Sequence, residues 1–364
     1  MSQLIGTLIL RFDASSAALR DGLSVVQQIG QTLWVANDET THLERFTVRD
    51  AAPGEAILCS EQTSFSLDSY LKLPLPNTDV EVDIEGLAYD KDSQYLWIVG
   101  SHSLKRTKAR AGRTAQENVQ RLSTVEADGN RFVLARIPVI DEQDGSCTLA
   151  GREASDGRTA AILKGDSVGN ALTSEIAKDK QLRDFLQIPG KDNGFDIEGL
   201  AVIGSRLLIG LRGPVLRGWS VMLEVEPVLD DDATDTLKLK KIGPDGQRYR
   251  KHLFALNGLG VRDLCTDGND LLILAGPTMD LDGPVTVFRW RDGFPLSEQS
   301  VVFNEQLETL FEVPFGKGED HAEGMCIFKA ASLGQTGLLI VYDAAATSRK
   351  LGISDVLGDV YSLP

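Results

Sequence analysis

The amino-acid sequence predicts an all-β protein that folds as a single β-propeller, and three observations lead to this prediction. A hexapeptide motif recurs along the chain, a short apolar segment follows each copy, and Gly, Asn and Asp residues typical of turns separate these segments. Short strands that repeat every roughly 40–60 residues are typical of propellers, in which each four-stranded blade is one repeat around a central channel.

The recurring motif is clearest at three places. Asp-Ile-Glu-Gly-Leu-Ala occupies both 83–88 and 196–201, and 321–326 carries the altered copy His-Ala-Glu-Gly-Met-Cys. Two weaker units, one near the N-terminus and one between the second and third copies, carry Leu23 and Arg262 at the glutamate position. The predicted strands that follow the five units are 33–36, 96–100, 207–210, 271–274 and 338–342.

The spacing of the units sets the expected number of blades. Most steps are about sixty residues long, but the step between the first two clear copies is nearly twice that. This long step contains a strand-like segment at 131–137 and a helical stretch at 171–186, for which Asn170 is a candidate N-cap. It holds either a degenerate sixth unit or an insertion. We therefore expect about six blades, with five or seven as alternatives, and a small helical insertion near 165–190.

The two ends of the chain are expected to meet. Residues 4–10 and 359–363 are both strand-like, and their pairing would close one blade and remove an exposed sheet edge. No segment has the composition of a linker between two domains. We therefore expect residues 1–364 to form a single domain, which at this length can bury about three quarters of its unfolded surface.

The composition favours a cytoplasmic, bacterial-type protein. The chain has 53 acidic and 37 basic residues and a formal net charge of −16, which disfavours binding to nucleic acid or anionic membranes because both require clustered cations. No stretch approaches the about 18 apolar residues of a membrane span, and the N-terminus lacks the features of a secretory signal. The four cysteines contain no Cys-x-x-Cys pair, so we expect reduced, structural thiols.

The motif is expected to line one end of the channel with polar side chains. Side chains two residues apart in a strand share a face, so each copy presents a pair. These pairs are Asp83 with Glu85, Asp196 with Glu198, and His321 with Glu323. The following strand runs antiparallel, so its last residues, including His102 in one unit and Arg212 in another, are expected at the same end.

Such a ring of acids requires compensation, because neighbouring carboxylates cannot all ionise freely. The sequence leaves three sources open: a bound divalent cation, the guanidinium groups of Arg212 and Arg262, or shared protons. Oxygen ligands favour Ca²⁺, with Mg²⁺ as an alternative, while the two histidines leave Zn²⁺ or Mn²⁺ open. The structural alternative is that each acid joins its blade to a neighbour by bonding backbone N–H groups or arginine. Both can hold at once.

The only dense basic run follows His102. Residues 104–113 contain five cations and no acid. They form either a loop that brings positive charge to an anionic substrate at the channel mouth or a simple solvated loop.

Several runs resemble an uncharacterised bacterial family, domain-of-unknown-function family 3616, over most of the chain. The runs are 193–201, 211–219, 258–264, 275–284 and 321–324. More distantly, the Glu-Gly-Leu strand starts are similar to those of esterase-like and phytase-like propellers and of gluconolactonase and strictosidine-synthase relatives. That likeness implies an axial metal and hydrolysis of esters, lactones or phosphates, with Glu85, Glu198 and Glu323 at the carried-over positions. Leu23 and Arg262 depart from the pattern and put a complete acid ring in doubt.

These observations lead to one functional hypothesis and one rival. The hypothesis is a metal-binding hydrolase of a small anionic ester or phosphoester at the channel mouth. The motif carboxylates would hold the metal or lie beside it: Glu85, Glu198, Glu323, Asp83 and Asp196. The flanking cationic residues would transfer protons and clamp the anion: His102, His321, Arg212 and Arg262. The rival is a non-catalytic scaffold that binds a protein or ligand and uses the repeated acids structurally.

Overall fold

The repeated units build the blades of a propeller. The computed structural model describes residues 2–75, 80–294 and 297–364. The strands and helices of the first half are β1 (Leu4–Arg11), β2 (Leu23–Ile29), β3 (Thr32–Asn37), β4 (His42–Arg49), β5 (Ile57–Ser66), β6 (Ile84–Asp90), β7 (Tyr95–Gly100), β8 (Leu104–Arg106), α1 (Ala115–Ser123), β9 (Val125–Ala127), β10 (Leu134–Asp141), β11 (Cys147–Leu149), β12 (Ala161–Leu163), β13 (Gly165–Asp166), β14 (Gly169–Asn170) and α2 (Ala171–Ile176). Those of the second half are β15 (Asp196–Ile203), β16 (Arg206–Gly213), β17 (Ser220–Val225), β18 (Pro227–Asp230), β19 (Ala233–Leu239), β20 (Tyr249–Phe254), β21 (Gly260–Asp267), β22 (Asp270–Gly276), β23 (Val285–Trp290), β24 (Ser300–Val302), β25 (Leu307–Val313), β26 (His321–Phe328), β27 (Gly337–Asp343), β28 (Lys350–Leu351) and β29 (Asp355–Ser362).

The expected all-β propeller is confirmed, and the described residues form five four-stranded antiparallel blades. From the inner to the outer strand these are blade 1 (β2, β3, β4, β5), blade 2 (β6, β7, β10, β12), blade 3 (β15, β16, β17, β20), blade 4 (β21, β22, β23, β25) and blade 5 (β26, β27, β29, β1). Each inner strand packs against the inner strands of the two neighbouring blades, so β2, β6, β15, β21 and β26 close a ring. All five inner strands begin at or near the predicted units.

The estimate of about six blades was therefore one too high, and five was among the alternatives. The long step between the first two motif copies contains no further blade in its described residues. It holds β10 and β12, which are the outer strands of blade 2, together with a β8–α1–β9 excursion and the predicted insertion. Outer strands vary in spacing along the chain, so the distance between inner strands overestimated the number of repeats.

The chain termini lie in one blade. Strand β1 pairs antiparallel with β29 from Leu4↔Tyr361 to Arg11↔Asp355, and β1 is the outer strand of blade 5. On its other side β1 pairs parallel with β5 of blade 1, which joins the first and last blades into one sheet. A ring closed in this way leaves blade 5 without a free outer edge at β1.

The helical insertion lies where the sequence places it, but its helix is short. Helix α2 begins after Asn170, whose side chain accepts hydrogen bonds from the backbone N–H groups of Leu172 and Thr173. Leu172 and Ile176 are fully buried, as their spacing on one helix face requires. Helix α1 was not predicted; Thr114 and Glu117 cap it reciprocally, and none of its residues is buried. None of the described helices is long and apolar enough to cross a membrane.

Stacked blade faces form the hydrophobic core. Apolar residues of alternating strand faces pack between blades 1 and 2, 2 and 3, and 3 and 4, and a larger cluster spans blades 4, 5 and 1. Glycines allow the inner strands to approach closely: a Cβ at Gly86 would lie 2.7 Å from the Cβ of Leu200, and one at Gly324 would lie 2.9 Å from the Cα of Val25. The glycine after the motif glutamate therefore permits the tight ring that brings the motif residues together.

Candidate site at the channel mouth

A β-bulge near the start of every inner strand selects the residue that reaches the channel. The pairing register shifts at the same motif position in all five blades. The bulged residues are, in ring order, Ser24, Glu85, Glu198, Arg262 and Glu323. This register corrects one sequence assignment: Ser24, not Leu23, occupies the glutamate position of blade 1. A bulge re-aims a side chain that would otherwise follow the strand alternation, so the motif becomes a ring of side chains at one end of the channel.

This end of the channel opens into a cavity of about 300 Å³. Acidic side chains dominate its lining: Asp38, Glu39, Glu81, Asp83, Glu85, Asp192, Asp196, Glu198, Asp280, Glu323 and Asp343. Basic side chains are fewer: Lys105, Arg106, Lys108, Arg131, Lys191 and Arg212. The acidic excess makes the cavity more attractive to cations than to anions.

Glu198 is fully compensated by arginine. Its Oε1 accepts from Nη1 of Arg212 at 2.7 Å, and its Oε2 accepts from Nη1 of Arg262 at 2.9 Å. Burial alone would raise the pKa of Glu198, but the charges and hydrogen bonds of the two arginines outweigh it and hold the pKa below its usual value. Arg262 also donates to Oε1 of Glu323 at 2.9 Å. Arg212 and Arg262 therefore neutralise the ring, and neither guanidinium is free to clamp an anion.

Asp83 is paired with a residue that lies far from the motif. Nη1 of Arg131 lies 2.9 Å from Oδ2 of Asp83, and Nη2 of the same arginine donates to Glu81 at 2.6 Å. Asp83 adopts a positive φ of 56°, a conformation that aspartate tolerates better than most residues. Burial still raises the pKa of Asp83 despite the attraction of Arg131.

Glu85 differs from the other motif acids because it has no partner. Within the described ranges, its carboxylate makes neither a hydrogen bond nor an ion pair, although it faces the cavity. Desolvation raises its pKa well above the usual value, and the charges of neighbouring carboxylates, above all Asp83 and Glu198, add to this effect. Glu85 is thus the focus of uncompensated acidity in the channel.

Three further acids around the cavity have a pKa near neutrality. Burial raises the pKa of Asp196 to about 7, with Glu198 adding repulsion and Arg212, 4.0 Å away, opposing it. Burial raises the pKa of Glu323 to about 8, although Arg262 opposes this shift. The pKa of Asp38 rises to about 7 because of burial and the nearby charge of Asp83. These groups can gain or lose protons near physiological pH.

The two histidines assigned to the site lie outside its lining. His102 is buried at 2% exposure, and its Nδ1 bonds to the carbonyl of Gly100 at 2.8 Å while its Nε2 bonds to the Asn170 amide at 2.7 Å. Burial lowers the pKa of His102 to about 4. His102 therefore anchors the helical insertion. His321 lies on the rim, where its Nε2 is 3.3 Å from Asp282.

The carboxylates suit a hard cation in chemistry, but they are not preassembled around one point. Of the His, Cys, Asp and Glu side chains in the described part of the chain, no three are grouped closely enough to hold a metal ion. Two of the five acids assigned to the metal, Glu198 and Asp83, are instead bonded to arginines. Glu85, Asp196 and Glu323 keep ligand capacity.

Sequence reasoning missed four residues that shape the site. Arg131 and Lys191 lie in the long insertion, and no local pattern marks them. Asp38 follows β3, whose end faces the channel mouth, and position alone could have identified it. Asp263 replaces the motif glycine in blade 4; its buried carboxylate accepts from the backbone N–H of Met325 at 2.7 Å and so ties blade 4 to blade 5.

The fold and the bulge ring define a class: a five-bladed β-propeller with an acid-lined channel mouth. A family model described as a protein of unknown function (DUF3616) matches residues 22–359, and the chain belongs to this family. The resemblance seen in the sequence is thereby confirmed. No curated protein matches the chain.

Solved structures resemble the chain only at the level of fold. The Cps50 (Swd1) β-propeller domain of Myceliophteria thermophila is 10% identical, with both chains fully covered and a TM-score of 0.37. A luciferin-regenerating enzyme is 8% identical over 98% of this chain and 94% of its own, with a TM-score of 0.33. The aldose sugar dehydrogenase of Streptomyces coelicolor is 9% identical over 100% and 98%, with a TM-score of 0.36. Likenesses this distant carry no argument about activity.

Proposed function

We propose that the channel mouth binds a divalent cation, with Ca²⁺ as the first candidate and Mg²⁺ or Mn²⁺ as alternatives. The observation that carries this proposal is the unpartnered carboxylate of Glu85, which faces the cavity among other carboxylates. Carboxylate oxygens are hard ligands that suit these ions. A cation would supply the charge that arginines supply to Glu198.

The motif acids would not contribute equally to such a site. Glu85 and Asp196 are the carboxylates with most capacity, and Glu323 keeps one oxygen free of Arg262. Asp38 lines the same cavity and can add a further oxygen. Because these groups are not already grouped around one point, water molecules or side-chain rotations would complete the coordination. Ca²⁺ tolerates irregular geometry of this kind better than Mg²⁺ does.

The finer proposal is that the site hydrolyses a small anionic ester, such as a phosphoester. A bound divalent cation supplies a water molecule of lowered pKa as nucleophile. Lys105, Lys108 and Lys191 line the same cavity and would attract the anion in place of Arg212 and Arg262. Asp38 and Glu323, with pKa values of about 7 and about 8, are better suited than the histidines to accept and return protons.

A second candidate function, a non-catalytic binding scaffold, is favoured by the bonds that run between blades. Arg262 of blade 4 bonds to Glu198 of blade 3 and to Glu323 of blade 5. Ser24 of blade 1 donates from its hydroxyl to the carbonyl of Ile84 in blade 2 at 2.6 Å. In this alternative the ring holds the blades together, and a rim surface recognises a protein or ligand.

Calorimetry tests the cation proposal. Metal-free protein is titrated with CaCl₂, MgCl₂ and MnCl₂ at pH 8, with Glu85→Gln as the test variant and Glu55→Gln, an exposed loop residue, as the matched control. We expect saturable binding in the wild type and in Glu55→Gln and its loss in Glu85→Gln. Affinity should weaken at pH 6, because carboxyl groups with a pKa of about 7–8 must release protons to bind the ion. Absence of binding for all three ions in the wild type would reject the proposal.

A hydrolysis screen then separates the two functions. Wild type, Glu85→Gln and Glu55→Gln are assayed with p-nitrophenyl phosphate and small carboxylic esters in the presence of the bound ion. Turnover that Glu85→Gln abolishes and Glu55→Gln retains supports the hydrolase. Cation binding without turnover favours the scaffold.

A further inference from the structure

A second cluster of functional groups lies on the outer part of blade 3, apart from the channel cavity. Strands β17, β20 and β24 are adjacent in one sheet, and they carry Glu224, His252 and Ser300. His252 is directly opposite Ser300 in the register. Oγ of Ser300 lies 2.9 Å from Nδ1 of His252, and Nε2 of His252 lies 3.2 Å from Oε2 of Glu224. A hydroxyl, an imidazole and a carboxylate are thus linked in series.

The burial of the cluster fixes its protonation. His252 is fully buried and Glu224 is 4% exposed, while Ser300 is only partly covered. Glu224 also pairs with Arg206 and with Arg250 at 3.3 Å. Burial alone would raise the pKa of Glu224, but the hydrogen bonds from His252 and Arg206 outweigh it and lower the pKa, so the group is a carboxylate at neutral pH.

The carboxylate determines which ring nitrogen carries the proton. An ionised Glu224 can only accept, so Nε2 of His252 bears the hydrogen that bonds to it. Nδ1 is then the unprotonated nitrogen and accepts the hydrogen of the Ser300 hydroxyl. This is the arrangement in which a histidine can act as general base toward a serine. His102, by contrast, bonds to a carbonyl and an amide and has no nucleophile within reach.

We propose that Ser300 is a nucleophile, activated by His252 and Glu224, that accepts acyl groups from activated esters. The Ser300 hydroxyl proton passes to Nδ1 of His252 as Oγ bonds to the acyl carbon, and the proton then passes to the departing alkoxide as the ester C–O bond breaks. The products are an acyl-serine and an alcohol, and attack by water on the acyl-serine regenerates Ser300 and releases the acid. Val301 and Phe303, 47% and 52% exposed, follow Ser300 and favour esters of apolar acids.

Covalent labelling of the full-length protein tests this proposal. The probe is a fluorophosphonate that labels activated serines, and labelled peptides are identified by mass spectrometry. We expect labelling at Ser300, complete loss in Ser300→Ala, and a rate at least about tenfold lower in His252→Asn and in Glu224→Gln. Ser297→Ala, which removes an exposed serine three residues away, is the matched control and should label like the wild type. A wild type that is unlabelled at Ser300, or a labelling rate unchanged in His252→Asn, would overturn the proposal.

A thiol variant keeps the test valid if removal of the buried histidine or glutamate unfolds the blade. Ser300→Cys retains the hydrogen-bonding position, and an imidazole in contact with a thiol lowers its pKa. Peptide-resolved alkylation by iodoacetamide should therefore be faster at position 300 at pH 6.5 than at an exposed Ser297→Cys control. Equal rates at the two positions would contradict activation by His252. Cation binding in the channel should be unaffected in Ser300→Ala, which separates this inference from the proposed function.

Discussion

Blades 2 and 3 contain the same hexapeptide, Asp-Ile-Glu-Gly-Leu-Ala, yet their glutamates have opposite electrostatic environments. Glu198 of blade 3 bonds to two arginines, and its pKa is lowered. Glu85 of blade 2 has no partner in the described ranges, and its pKa is raised well above the usual value. Identical local sequence therefore sets the position of a carboxylate in the ring but not its charge.

The neighbours of the two blades explain the difference. Arg212 ends the second strand of blade 3, and the strand registers place Ser101 at the equivalent position in blade 2. The next ring position beyond Glu198 is Arg262, whereas the next position beyond Glu85 is Glu198 itself. Blade 2 thus lacks a cation at both places where blade 3 has one. Arg131 compensates Asp83 instead and leaves Glu85 unpaired.

The largest expected effect is the loss of the paired side of this comparison. Replacement of Arg262 by methionine leaves Glu198 short of one partner and Glu323 unpaired in a buried ring. We expect the free energy of unfolding to fall by about 3–5 kcal/mol, as for other broken buried ion pairs, measured by urea denaturation at pH 7.5.

The control is Arg11→Met, which removes an exposed bond to Asp355 at the outer strand of blade 5. Its midpoint should stay close to that of the wild type. A loss in Arg262→Met no larger than in the control would mean that the ring does not hold the blades together.

The unpaired side should make the protein less stable at high pH. Asp38, Asp196 and Glu323 have raised pKa values in the folded state, so the native protein binds more protons than the unfolded chain between about pH 4 and 8. Their contribution is complete below the unfolded pKa and is lost as the pH rises through about 7–8. We expect the free energy of unfolding in metal-free buffer to fall from pH 6 to pH 9. A constant or rising value over this range would contradict the account.

Neutralising Glu85 alone should produce a smaller effect of opposite sign to the loss of Arg262. Glu85→Gln removes a carboxyl group that has no partner, so it should raise the thermal midpoint at pH 8.5 by about 1–3 °C and by less at pH 5. Glu39→Gln, at an exposed acid of the same cavity, serves as the control and should change the midpoint little at either pH. Differential scanning calorimetry in a chelating buffer measures both. Destabilisation in Glu85→Gln would show that this carboxylate has a structural partner.

Much of the fold was predictable because the motif marks the strand that lines the channel. The repeat located all five inner strands, and the glycine after each glutamate is explained by the close approach of neighbouring blades. The number of blades was harder to predict, since outer strands such as β10 and β12 carry no repeat and the insertion lengthens blade 2.

The site was only partly predictable. The motif indicated which acids meet, but the bulge moved the blade 1 position from Leu23 to Ser24. Charge compensation depends on contacts between blades, so Arg131 could not be assigned from local sequence. His102 follows a strand that ends at the channel mouth, but its φ of 55° accompanies a side chain that bonds to Asn170 of the insertion.

The most direct test of the account is a titration of the two glutamates that share a motif. Protein labelled with ¹³C at the glutamate side-chain carboxyl carbon is followed by NMR from pH 4 to pH 9 without divalent cations, and Glu85→Gln and Glu198→Gln assign the two signals. The account predicts that the Glu85 carbon titrates far above the range of ordinary glutamates, while the Glu198 carbon already has the chemical shift of a carboxylate near pH 5. Titration of both carbons in the same ordinary acidic range would contradict it.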